Sequence, residues 1–200
     1  MKHLIRLLAL VALTLIAGCS SEIMLSHSPS DMALMMVKPE SKLNVTTSVT
    51  SDVPEPFTYS YNGYSYVFHF DDAFRESYQS YFMTKFTTDP SSQKKVSIDV
   101  IADSLVISYD YHQSTGQVVS AILVGRSSMS AIVNARLYVT LKVFGDSINV
   151  AKVFPITSTS NETIASTSHA ENLYSKAVDQ CINKSIVFVE KYLQGVLKES

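Results

Sequence analysis

With 200 residues, 46% of them hydrophobic and 17% charged, the chain is long enough to bury a core of its own and too apolar to be a solvated, disordered tail. Its net charge of −2 comes without a basic run or an RNA-type aromatic motif, which argues against nucleic acid as a partner.

Lys2 and Arg6 frame the start of an apolar run from Leu7 to Ala17 whose most polar member is Thr14. This is the charged start and short apolar core of a secretory signal. A bilayer core about 30 Å thick needs roughly 20 apolar residues, so the run is too short to span and cleavage is expected. The segment Leu15, Ile16, Ala17, Gly18, Cys19 resembles the lipobox of bacterial lipoproteins: a branched apolar residue, two small residues, then the cysteine. The resemblance implies that residues 1–18 are removed and that the Cys19 thiol accepts a diacylglycerol through a thioether. Each buried methylene contributes about 0.8 kcal/mol, so two or three acyl chains, palmitate among them, hold a protein on its membrane essentially permanently. Ser20 and Ser21 follow the cysteine where an acidic residue would favour inner-membrane retention, which points to the outer membrane, facing the periplasm.

Residues 19–31 are polar with little pattern and read as a lipidated flexible tether, leaving residues 32–200 as a single periplasmic domain. A short strand is expected at Met32 to Val37. Pro39 to Pro56, rich in Ser, Thr and Pro, reads as extended loop with an edge strand at Leu43 to Val49. Phe57 to Phe70 alternates aromatic and β-favouring residues around Asn62 and Gly63, the signature of a hairpin. Asp71 and Asp72 then offer an N-cap to a helix carrying Phe74, Tyr78, Tyr81, Phe82 and Lys85 or Phe86 at helical spacing.

Val96 to Tyr111 predicts one long strand, or two broken around Ala102 and Asp103. Ser114, Thr115 and Gly116 mark a turn before an apolar strand at Gln117 to Gly125. Ile132 to Phe144 alternates strictly, and Gly145 and Asp146 turn it into a partner strand at Ile148 to Ile156. The terminal helix starts with Ser168 and Glu171 as a capping box and carries Leu173, Ala177, Cys181, Ile182, Ile186, Val189, Leu193 and Val196 as one apolar stripe. On that stripe Cys181 reads as a buried, inert thiol. Together the elements predict an α+β fold, with two helices packed on one face of an antiparallel sheet and a long helix at the C-terminus.

No nucleophile elbow, phosphate-binding glycine loop or metal-ligand spacing is present in the sequence, so neither a catalytic residue, a cofactor nor a metal site is expected. His27, His69, His112 and His169 are far apart, and Asp71 with Asp72 reads as helix capping rather than acid-base chemistry. Tyrosines join an apolar ring to a hydroxyl and suit partner or headgroup contact, but alternation alone also fills strands, so about half of the aromatic cluster is expected in the core and Tyr59, Tyr61, Tyr64 and Tyr66 are the candidate partner surface.

The lipobox, the Val96 to Tyr111 strand, the Ile132 to Ile156 hairpin and the capped terminal helix follow an order similar to two groups of small Gram-negative lipoproteins. These are the lipopolysaccharide-assembly lipoprotein and the auxiliary lipoproteins of ABC-type lipid transporters. The resemblance implies a membrane-tethered, non-catalytic accessory or assembly factor that binds an envelope protein. A periplasmic carrier, holding a lipid or other amphiphile between sheet and helices, is the alternative. A hydrolase with a noncontiguous site is a third.

Overall fold

The computed structural model describes residues 20–41, 43–61, 63–87, 89–112, 129–164 and 167–198. The signal segment, Cys19, Asn62, the turn at Ser114 to Gly116 and the strand expected at Gln117 to Gly125 lie outside the described residues.

The fold is α+β. Its main sheet has four strands in the order β3-β7-β8-β9: β3 (Asn44–Ser51), β7 (Lys95–His112), β8 (Met129–Gly145) and β9 (Asn149–Ile164). β7, β8 and β9 are antiparallel as expected, whereas β3 joins the edge parallel to β7, so the sheet is mixed. The strict alternation in β8 has a direct consequence. Ala131, Val133, Ala135, Leu137, Val139, Leu141 and Val143 are all buried, while Arg136 between them and Phe144 just after them are exposed. Gly145 closes the hairpin because a Cβ there would stand 3.0 Å from the Lys95 carbonyl oxygen.

β7 runs unbroken, with a register irregularity between Ala102 and Ser104. Val96, Ile98, Val100 and Ala102 face inward, and the inward series resumes three residues later at Leu105 and Ile107. Asp103 is the extra residue of a β-bulge, its carboxylate accepting a hydrogen bond from Thr140 Oγ1 at 2.8 Å.

Two helices cover the inner face. The helix expected after Asp71 and Asp72 spans Phe70–Lys85, following a two-stranded hairpin of β4 (Phe57–Tyr61) and β5 (Tyr64–Phe68). His69 precedes it without a side-chain capping bond, so the two aspartates lie in the first turn rather than at the cap. Glu55 accepts from the Asp71 N–H at 3.1 Å and supplies the negative charge that the exposed N–H groups favour. The terminal helix spans Thr167–Val196, which places Ser168 inside the first turn instead of at the N-cap. Its stripe from Leu173 to Leu193 is buried as patterned, extended by Tyr174 and Val178.

Two expectations for the amino-terminal part are corrected. Ser20–Ile23 is a strand, β1, parallel to β5, and the chain beyond it is docked along the terminal helix instead of hanging free. Ile23 and Leu25 are buried, Ser175 Oγ donates to the Met24 carbonyl, and the N–H groups of Ser26 and Ser30 donate to Asp179 and Asn183. The polar composition that suggests a tether is used to satisfy this backbone. Asp31–Met35, expected as part of a strand, is a short helix α1; the Ser30 hydroxyl caps it by accepting from the Ala33 N–H at 3.3 Å, and the Met residues around Ala33 are good helix formers. The remaining helices are therefore α2 (Phe70–Lys85) and α3 (Thr167–Val196), and Glu40–Ser41 (β2) pairs parallel with Phe86–Thr87 (β6).

Candidate functional site

The candidate tyrosines are gathered by the three-stranded sheet β1-β5-β4. In its register Phe57 opposes Phe68, Tyr59 opposes Tyr66, and Tyr61 opposes Tyr64, so all six rings share one face. That face is turned largely inward. The Tyr59 and Tyr66 rings lie 5.7 and 4.3 Å from Tyr174 of α3, and Tyr61 lies 4.6 Å from Tyr109 of β7. Burial is the main cause that raises the Tyr59, Tyr66 and Tyr174 phenols above their ordinary value, reinforced by the neighbouring phenols. Tyr59 and Tyr66 thus serve mainly to pin the hairpin on the terminal helix, and Tyr64, 45% exposed beside Gly63, is the ring presented outward.

Gly63 holds φ at 79°, a conformation that side chains with a Cβ rarely adopt, and this allows the two-residue connection from Tyr61 to Tyr64. The opposite face of the hairpin tip is hydroxylated. Ser20 is the register partner of Ser65, and the Ser60 and Ser65 hydroxyls are 3.1 Å apart.

A second exposed feature lies on the segment docked along α3. Met24, Met32, Met35 and Met36 are exposed, Met35 by 85%. The signal was in the sequence: four of the seven methionines fall within positions 24–36. Flexible, polarizable methionines suit adaptable protein contacts.

The strongest buried electrostatic feature joins α2 to α3. Lys85 and Glu190 are 0% and 2% exposed and pair at 3.0 Å. Glu190 also accepts from Tyr81 Oη at 2.8 Å, from Gln194 Nε2 at 2.6 Å and from the Lys38 N–H at 3.0 Å. Burial opposes its charge, but the four hydrogen bonds outweigh that and hold its carboxyl below the ordinary value. Every polar partner points at Glu190, so the cluster ties α2, α3 and the chain before β2 together. Sequence reasoning left Glu190 out, although its spacing from Ile186 and Leu193 puts it on the buried face.

The remaining chemistry-bearing side chains are dispersed. His27 pairs with Glu76 at 3.1 Å, and His69 lies between Glu55 and Glu22. Burial pushes the Cys181 thiol up to about 11, and its sulfur points at the Ala135 carbonyl, 3.3 Å away. Among the described residues no three His, Cys, Asp or Glu side chains are grouped to hold a metal ion, and no helix is long and apolar enough to cross a membrane.

No family model and no curated protein matches the chain. Solved structures similar to it include a Xanthomonas campestris protein of family DUF330, at 14% identity over 88% of this chain and 97% of that one, with a TM-score of 0.40. A minor lipoprotein from Acinetobacter baumannii is 8% identical over 72% of this chain and 93% of its own, with a TM-score of 0.39. A homolog of the neuraminyllactose-binding hemagglutinin from Helicobacter pylori is 15% identical over 78% and 86%, with a TM-score of 0.43. At these TM-scores the similarities carry no functional argument.

Proposed function

We propose that the protein is a lipid-anchored, non-catalytic accessory or assembly factor of a Gram-negative envelope complex, held by acylated Cys19 on the outer membrane and facing the periplasm. The observation that carries this reading is the junction at Cys19: a signal segment ending in Leu15, Ile16, Ala17, Gly18 runs directly into a cysteine, and β1 starts at the next residue, Ser20. A leader removed before Cys19 would free an acceptor thiol and leave every described strand whole.

The exposed methionines at 24, 32, 35 and 36 support an accessory role, since they offer a surface for an envelope protein without being needed in the core. The carrier reading needs space between sheet and helices. Beneath α3 the described residues leave none, since Leu137 and Leu141 of β8 and Leu173 and Ile186 of α3 are all fully buried; a cleft of about 290 Å³ opens instead between β3 and α2, at Val45, Thr47, Gln79, Phe82, Met83 and Phe86, and its mixed polar and apolar lining suits a bulky amphiphile less well than an apolar pocket would. The test is membrane fractionation of the full chain and of Cys19→Ala. The reading expects the wild type in the outer-membrane fraction and the variant released from it. A variant that fractionates like the wild type contradicts it.

A further inference from the structure

The point where the chain meets its anchor is set by strand pairing. Ser20 is in register with Ser65, and β1 and β5 run parallel, so the start of β1 is level with the start of β5. One residue before Ser65 is Tyr64, at the tip of the β4–β5 hairpin. Consecutive Cα atoms are about 3.8 Å apart, so an anchor on the residue bonded to Ser20 starts within one residue's reach of the hairpin tip. A lipid on Cys19 therefore has almost no slack, and this end of the sheet must stay within a few ångströms of the headgroups.

The surface at this end fits that position. Tyr64 is 45% exposed, and Ser20 and Ser60 are exposed hydroxyl side chains on either side of Ser65. Tyrosines concentrate at membrane interfaces, where the ring contacts acyl chains and the hydroxyl stays with the headgroups. The opposite end is far away. Tyr61 touches Tyr109, which pairs with Val133, and Phe144 is eleven residues further along β8, roughly 35 Å at the rise of a strand.

We infer that the mature protein stands on a phospholipid bilayer on the tip of the β4–β5 hairpin, with Tyr64 at the headgroups and the β8–β9 turn directed away from the membrane. The inference rests on the lipid-anchor reading and adds the orientation.

The chain contains no tryptophan, so each introduced one is a unique probe. Tyr64→Trp, Met35→Trp and Phe144→Trp are made in the full chain, purified with their lipid, and reconstituted in vesicles of phosphatidylethanolamine and phosphatidylglycerol containing brominated phosphatidylcholine. The expected result is a loss of emission with a blue shift for Tyr64→Trp and neither for the other two. A linker of about ten Gly and Ser residues inserted after Cys19 should remove most of that quenching while the protein stays on the vesicles. Lipidated, vesicle-bound protein in which Tyr64→Trp is unquenched, or in which Met35→Trp or Phe144→Trp is quenched instead, overturns the orientation and leaves the anchor standing. Protein purified without lipid overturns both.

Discussion

Lys85 and Glu190 form an ion pair at 3.0 Å with both side chains shut off from solvent, the lysine at the last position of α2 and the glutamate in the final third of α3. Removing one partner leaves the other charge buried and alone. Lys85→Met is expected to destabilise the fold by about 3–5 kcal/mol, and adding Glu190→Gln should recover much of that loss, because the neutral amide removes the stranded charge while its one oxygen still accepts from the Lys38 N–H and its NH2 can donate to the Tyr81 hydroxyl oxygen. Urea denaturation of the two single variants and the double variant measures the coupling; additive effects would show that the pair is not a unit.

Stability should fall as the medium is acidified, with Glu190 as one cause. Its folded carboxyl is held below the ordinary glutamate value, so its contribution is fully present above about 4.3 and is lost as pH drops from there through the lowered folded value. In Glu190→Gln the stability at neutral pH is lower, and the slope between about pH 5 and pH 3 should be shallower than in the wild type. Denaturation series across that range compare the slopes.

Tyr174 sits among Tyr59, Tyr66, Phe68 and Tyr109 with a buried hydroxyl that has no hydrogen-bond partner among the described residues. The Tyr78 hydroxyl, by contrast, donates to Ser185 Oγ at 2.9 Å. Tyr174→Phe should leave the thermal midpoint unchanged or raise it, whereas Tyr78→Phe should cost about 1 kcal/mol. A clear loss in Tyr174→Phe would point to a partner for that hydroxyl.

Much of this architecture was legible because a half-buried strand and an amphipathic helix write their periods directly into the residues. The alternation of β8 and the stripe of α3 are the clearest cases, and the break seen around Ala102 and Asp103 proved to be a change of phase within one strand. Other features were hidden by their dependence on tertiary partners. Ser20 to Ser30 looks like a tether because its hydrogen-bond acceptors, Asp179 and Asn183, lie more than 150 positions away. The parallel pairing of β3 with β7 has no local turn to announce it. The tyrosine hairpin was visible, but which rings face α3 depends on where Tyr174 is placed.

The bulge yields a prediction of its own. Ala102 pairs with Val139 and Ser104 with Tyr138, so deleting Asp103 leaves both pairings available and keeps Leu105 and Ile107 inward. This deletion should fold, losing about 1 kcal/mol with the Thr140 hydrogen bond. Deleting Val106 instead shifts Ile107 by one position and turns it outward, which should prevent cooperative folding. Thermal denaturation of both deletions separates the two outcomes.

The claim on which the rest depends is the modification of Cys19, and the mass of the mature amino-terminal peptide tests it most directly. The account predicts a peptide that begins at Cys19 and carries the mass of a diacylglycerol thioether with a further acyl chain. A peptide that retains residues 1–18, or one that begins with unmodified cysteine, would contradict it.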